Sequence, residues 1–103
     1  MSIYTYRCNE VKRMSELLKL LSEPNRLKIL CNLGLECRPV TEIVNETGLS
    51  QTNVSFHLRL LREAGLVRPE RHGKFIYYCL PDAGLLEHLE HLRLWVQQLD
   101  EKR

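Results

Sequence analysis

The chain has 103 residues, 44% of them hydrophobic, with four cysteines and a formal net charge of +2. That length supports one domain, residues 1 to 103, with a modest core that gains from dimerisation. No run is long and apolar enough to cross a bilayer and the start, MSIYTYRCNEV, lacks the apolar stretch of a secretion signal, so a cytoplasmic protein with no membrane partner and with reduced thiols is expected.

The first helix is expected over about residues 10 to 21, where Val11, Met14, Leu18 and Leu21 recur at helical spacing with Leu17 and Leu20 beside them. Residues 1 to 8 and 100 to 103 are read as loose ends. A second helix carries Leu27, Leu30 and Cys31 and stops near Gly34; a free cysteine on such a face behaves as a small hydrophobe. The polar link Glu36-Cys37-Arg38-Pro39 leads into a short helix, Thr41 to Thr47, with Ile43 and Val44 inward.

Gly48-Leu49-Ser50 then joins this helix to the next, and two helices linked by a short glycine-containing turn form a helix-turn-helix, here about residues 41 to 64. The second helix is amphipathic. Val54, Leu58 and Leu61 make the inward stripe, while Gln51, Thr52, Ser55, Arg59 and Arg62 carry the amide, hydroxyl and guanidinium groups that pair with base edges and phosphates. His57 adjoins the apolar stripe and is placed with the DNA-facing set, although an anchoring role is open to it. Ser50 sits at the N-cap and Gly65 at the stop, but Asn53 denies Ser50 the reciprocal partner of a capping box.

Leu66 to Arg71 and Lys74 to Leu80 read as two strands around a His72-Gly73 turn, a wing over about residues 66 to 80. Its tip carries Arg71, His72 and Lys74, which are expected to touch DNA phosphates or the adjacent minor groove, and Pro69 marks the first strand as an edge. The last helix, about residues 82 to 99, has a seam of Leu85, Leu89, Leu92, Val96 and Leu99, widened by Leu86 and Trp95. Charge is sorted along the chain: residues 50 to 78 hold five basic side chains against two acids, and residues 82 to 100 hold four acids against one arginine.

The run Leu21-Ser22-Glu23-Pro24-Asn25-Arg26-Leu27-Lys28-Ile29-Leu30, then Ser50-Gln51, Val54-Ser55, His57-Leu58, Leu61, Ala64-Gly65-Leu66-Val67, and the wing residues Arg71, Gly73, Lys74, Tyr77 and Tyr78, resemble a small repressor of the ArsR/SmtB family over about residues 14 to 80. The resemblance implies a mainly α winged helix-turn-helix of order α-α-α-α-β-β-α. It also implies a homodimer formed by the first and last helices, with Val11, Met14, Leu18, Leu85, Leu89, Leu92, Trp95, Val96 and Leu99 at the interface. The partner is then double-stranded operator DNA, from which an effector releases the repressor. A two-fold dimer sets its recognition helices about one DNA turn apart.

The effector is not shared across that family, so its chemistry is sought in the cysteines. Cys8 lies near the chain start, Cys31 on the second helix, and Cys37 beside Arg38, which favours a thiolate. Three thiolates suit trivalent arsenic and soft sulfur suits cadmium, so Cys8, Cys31 and Cys37 are the expected metal or metalloid set. No obligatory cofactor is implied, and Cys79 is read as packing. The family's Cys-x-Cys pair is absent, its positions reading Pro39, Val40, Thr41, and the zinc-type site on the last helix is not reproduced, although His88 and His91 are spaced to share an ion. Ile29-Leu30-Cys31-x-Leu33 also looks like the cysteine helix of the family's persulfide sensors, without their second cysteine, so a bridge from Cys31 to Cys37 or Cys8 would have to substitute. A redox-sensing repressor and a winged-helix protein-interaction module are therefore carried as alternatives. An enzyme is not expected: Cys37 and His57 lack an orienting acid or a phosphate-binding loop.

Overall fold

The computed structural model describes residues 7 to 103. Its elements are α1 (Cys8–Leu21), α2 (Pro24–Leu33), β1 (Arg38–Pro39), α3 (Val40–Thr47), α4 (Gln51–Glu63), β2 (Arg68–His72), β3 (Phe75–Cys79) and α5 (Gly84–Glu101). Every expected helix and both wing strands are present, and one element is added. The two-residue β1 pairs antiparallel with β3, giving a three-stranded sheet of order β1-β3-β2. The helices also reach further into both ends than expected, since α1 begins at Cys8 and α5 runs to Glu101; the rest of the expected N-terminal loose end, residues 1 to 6, lies outside the described residues.

Local chemistry explains the helix boundaries. Glu23 caps α2 by accepting a hydrogen bond from the Arg26 backbone N–H (2.9 Å), and Pro24 takes the first helical position, where a missing N–H costs nothing. Arg26 reaches back and donates through Nε to the Leu20 carbonyl (2.7 Å), which closes the end of α1. Ser50 caps α4 through the Asn53 N–H (3.1 Å). At its other end Gly65, at φ +80°, lets the Leu66 N–H donate to the Leu61 carbonyl and the Gly65 N–H to the Arg62 carbonyl.

The core is formed by Ile29, Leu30 and Leu33 of α2, Ile43 of α3, Val54, Leu58 and Leu61 of α4, and Val67 ahead of the wing. All but Val67 come from the inward faces of three helices, and the opposite face of α4 is left in solvent. The hairpin closes through the two-residue loop Gly73-Lys74, one residue beyond the expected His72-Gly73 turn; Gly73 alone takes positive φ, as a type II′ loop requires. The sheet order puts β2 at an edge, where Pro69 leaves no ladder donor missing.

The two terminal helices behave differently from the rest. Neither α1 nor α5 contains a buried residue, and Val11, Met14 and Leu18 on α1 and Leu92, Trp95, Val96 and Leu99 on α5 are exposed. Within the expected seam Leu85 and Leu89 are instead half-buried, and Leu85 packs on the core of its own chain. The radius of gyration is 15.7 Å, against about 13 Å for a compact chain of this length, because these helices project from the core. No helix among the described residues is long and apolar enough to cross a membrane.

Candidate nucleic-acid interface and thiol sites

On α4 the helical period separates two faces completely. Val54, Leu58 and Leu61 are 0 to 1% exposed, whereas Gln51, Thr52, Ser55, Arg59 and Arg62 all face solvent. Phe56 lies on the solvent side as well, 46% exposed, with the Arg59 guanidinium 5.6 Å from its ring centre. Sequence patterning passed over Phe56 because an aromatic residue there breaks the apolar period; its exposure is the signal. An exposed ring on a polar helix face offers apolar contact to a thymine methyl or a base.

His57 leaves this set. It is 8% exposed, with Nδ1 3.5 Å from Arg26 Nη1 and Nε2 3.7 Å from a Glu23 carboxylate oxygen. The ring ties α4 to the capped start of α2, so of the two roles left open for it the anchoring one is what the packing permits.

On the wing, register decides which side chains share a face. Arg68, Glu70 and His72 lie opposite Cys79, Tyr77 and Phe75 on one face, and Arg71 lies opposite Ile76 on the other. His72 is exposed but committed: its Nε2 is 2.9 Å from Glu70 Oε1 and its ring stacks on Tyr77 at 4.3 Å. Arg71 and Lys74 are free. Together with Arg59 and Arg62 they form no ion pair among the described residues, so four exposed cations on α4 and the wing stand uncompensated. Such charge is what phosphates neutralise.

The cysteines do not gather as expected. Cys37 and Cys79 form a disulfide across 42 residues of chain, which corrects both the expectation of four reduced thiols and the reading of Cys79 as simple packing. The reason is β1: Arg38 pairs with Tyr78, so the preceding Cys37 falls opposite Cys79, at a Cα separation of 4.3 Å. Cys8 and Cys31 are the free cysteines, so with the bridge formed the set Cys8, Cys31 and Cys37 has two thiols rather than three. Cys37 is bridged to Cys79 and His57 is engaged with Glu23 and Arg26.

Cys31 opens onto a cavity of about 530 Å³ between α2 and α5, beside Leu27, Leu86, Leu89, Glu90 and Arg93. Partial burial raises its thiol pKa, and the Glu90 carboxylate adds to the rise. Glu90 is itself held below the usual carboxylate range by its hydrogen bond from Arg93 (2.5 Å). Among the described residues, the one cluster of three or more ligand atoms of the metal-binding type is Cys37, Glu70 and Cys79, mutually within 4.8 Å.

The pattern described as the bacterial regulatory protein arsR family matches residues 23–68, which run from the Glu23 cap through α4 to the first wing strand. The HTH-type transcriptional regulator NmtR of Mycobacterium tuberculosis is 40% identical over 89 residues, covering 80% of this chain and 74% of that protein. The chain belongs to the arsR family. Among solved structures of similar fold, the Mycobacterium tuberculosis protein Rv0081 superposes with a TM-score of 0.83 at 29% identity, covering 96% of this chain and 98% of that one. The transcriptional repressor BigR from Xylella fastidiosa gives a TM-score of 0.74 at 33% identity, covering 82% and 86%. This arsR-family chain is thus a winged helix-turn-helix transcriptional regulator, and the matched segment contains its α4 face in full.

Proposed function

We propose that the protein is a homodimeric repressor that occupies operator DNA through α4 and the wing and leaves it when the chemistry of its cysteines changes. The observation that carries this reading is the pairing of a fully exposed polar face on α4 with the four uncompensated cations Arg59, Arg62, Arg71 and Lys74. Gln51, Thr52, Ser55 and Arg59 read bases in the major groove, while Arg62, Arg71 and Lys74 contact phosphates or the adjacent minor groove. The unburied apolar faces of α1 and α5 support the two-fold dimer, since a monomer would leave them in water.

For the effector, a soft metal or metalloid taken up by cysteine thiolates is the first reading, with arsenite drawing on Cys8, Cys31 and Cys37 once the bridge is reduced. A thiol-oxidation reading stands beside it and is favoured by one observation, the Cys37–Cys79 bond. Either way the protein acts in the cytoplasm as a DNA-binding switch.

Fluorescence anisotropy of a duplex from the gene's own upstream region tests both levels. Binding with a salt slope of several charges is expected for the reduced protein, and release by arsenite, cadmium or a persulfide donor identifies the effector class. Salt-independent or absent binding to any duplex overturns the DNA reading in favour of a protein-interaction module.

A further inference from the structure

The bridged pair joins the start of the helix-turn-helix to the wing. Cys37 immediately precedes β1, which runs without a break into α3, and Cys79 ends the second wing strand. Glu70, on the edge strand, aims its carboxylate between them, with Oε2 3.9 Å from Cys37 Sγ and 3.5 Å from Cys79 Sγ. The same carboxylate meets Arg68 Nη2 at 3.7 Å and His72 Nε2 at 2.9 Å. Cys79 is 4% exposed while the Glu70 side chain is 43% exposed, so the cluster has a closed floor and an open mouth.

We propose that, when reduced, Cys37, Cys79 and Glu70 form a binding site for a thiophilic divalent cation of the Zn²⁺ or Cd²⁺ class. Cys37 just ahead of β1, Cys79 at the end of β3 and Glu70 diagonally across on β2 supply two thiolates and one carboxylate, and a water on the open side completes a tetrahedron. On binding, each thiol gives its proton to solvent and its sulfur lone pair to the cation. When the disulfide forms, that electron pair is lost: two thiols and hydrogen peroxide give the S–S bond and two waters, and the cation is released. Site occupancy and oxidation are therefore mutually exclusive states of one device spanning the wing and the start of the helix-turn-helix. This keeps the cysteine reading of the effector but replaces Cys8 and Cys31 with Cys79 and Glu70 as ligands, and it rests on that reading only for the DNA response, not for the binding itself.

The test is a Cd²⁺ titration of the fully reduced, full-length protein, read by the ultraviolet thiolate-to-cadmium charge-transfer band, with operator anisotropy followed in parallel. One tight equivalent is expected, lost in Cys37→Ser, weakened at least about tenfold in Glu70→Gln, and retained in Cys8→Ser and Cys31→Ser. Because Cys79→Ser perturbs a buried position, the unmodified protein supplies the second readout. Bound Cd²⁺ should shield Cys37 and Cys79 together from iodoacetamide, as read by mass spectrometry, while Cys8 and Cys31 remain reactive. A band that survives Cys37→Ser, or shielding that falls on Cys8 or Cys31, overturns the site. Binding at Cys37 and Cys79 with no change in operator affinity keeps the site and removes it from the sensing reading.

Discussion

At the residue scale the molecule separates side chains that meet solvent from chemically similar ones that do not. Gln51, Ser55 and Lys74 are exposed, so under the proposed function their substitutions should act on DNA binding with little effect on folding. Gln51→Ala or Ser55→Ala should cost about 1–3 kcal/mol on the preferred operator and flatten the preference between operators. Lys74→Ala should weaken all duplexes about equally and lower the salt slope by about one charge, as measured by anisotropy over a salt series. His57 is the opposite case. A residue of the same polarity, one position from Phe56, is buried because α2 supplies Glu23 and Arg26 at its ring; nothing local in the α4 sequence announces partners 31 and 34 positions away. Cys31 yields a pH prediction with a definite sign. Its raised pKa leaves less thiolate at any given pH, so alkylation of Cys31 in the folded protein should begin at higher pH than for a free cysteine. Glu90→Gln should move that profile part of the way down, leaving the share due to burial; mass spectrometry of pH-jump alkylation reads both.

At the scale of elements, helices proved far more legible than the sheet. The boundaries of α4 follow from Ser50, three apolar residues at helical spacing and Gly65, each a local cause. Gly65→Ala tests this directly: with φ at +80° and no atom within 4 Å of an added Cβ, the cost is backbone conformation alone. It should amount to about 1–2 kcal/mol in urea unfolding, with DNA binding by the folded fraction unchanged. The hairpin was readable from its alternating β-prone residues, but its turn lies one residue later than composition suggested, because Gly73 rather than His72 takes the positive φ. β1 was invisible. Two residues, one of them proline, have no periodicity, and they become a strand only because β3 offers an unpaired edge. Everything at the thiols followed from that omission, since it is β1 that brings Cys37 opposite Cys79.

At the scale of the whole molecule, the single chain leaves apolar helix surface unburied. Its core is closed by α2, α3, α4 and the base of the wing, and the faces of α1 and α5 are left over. Leu92→Glu, placed on the exposed face of α5, should leave the protomer folded by circular dichroism while shifting it to monomer in sedimentation velocity. Operator affinity should then fall at least tenfold, since one half-site contact is lost. A Leu92→Glu protein that stays dimeric would place the two-fold contact elsewhere.

What the sequence by itself determined is whatever depends on near neighbours along the chain: the helices and their stops, the outward polar face of α4, the basic wing and the family pattern running through them. These are set by periodicity and by caps within a few residues. Tertiary structure alone decided the added strand, the turning of Leu85 into the core, the anchoring of His57, and the meeting of Cys37, Glu70 and Cys79. Each of these joins residues far apart in sequence, and such contacts are selected by strand register and helix packing, which no local pattern encodes.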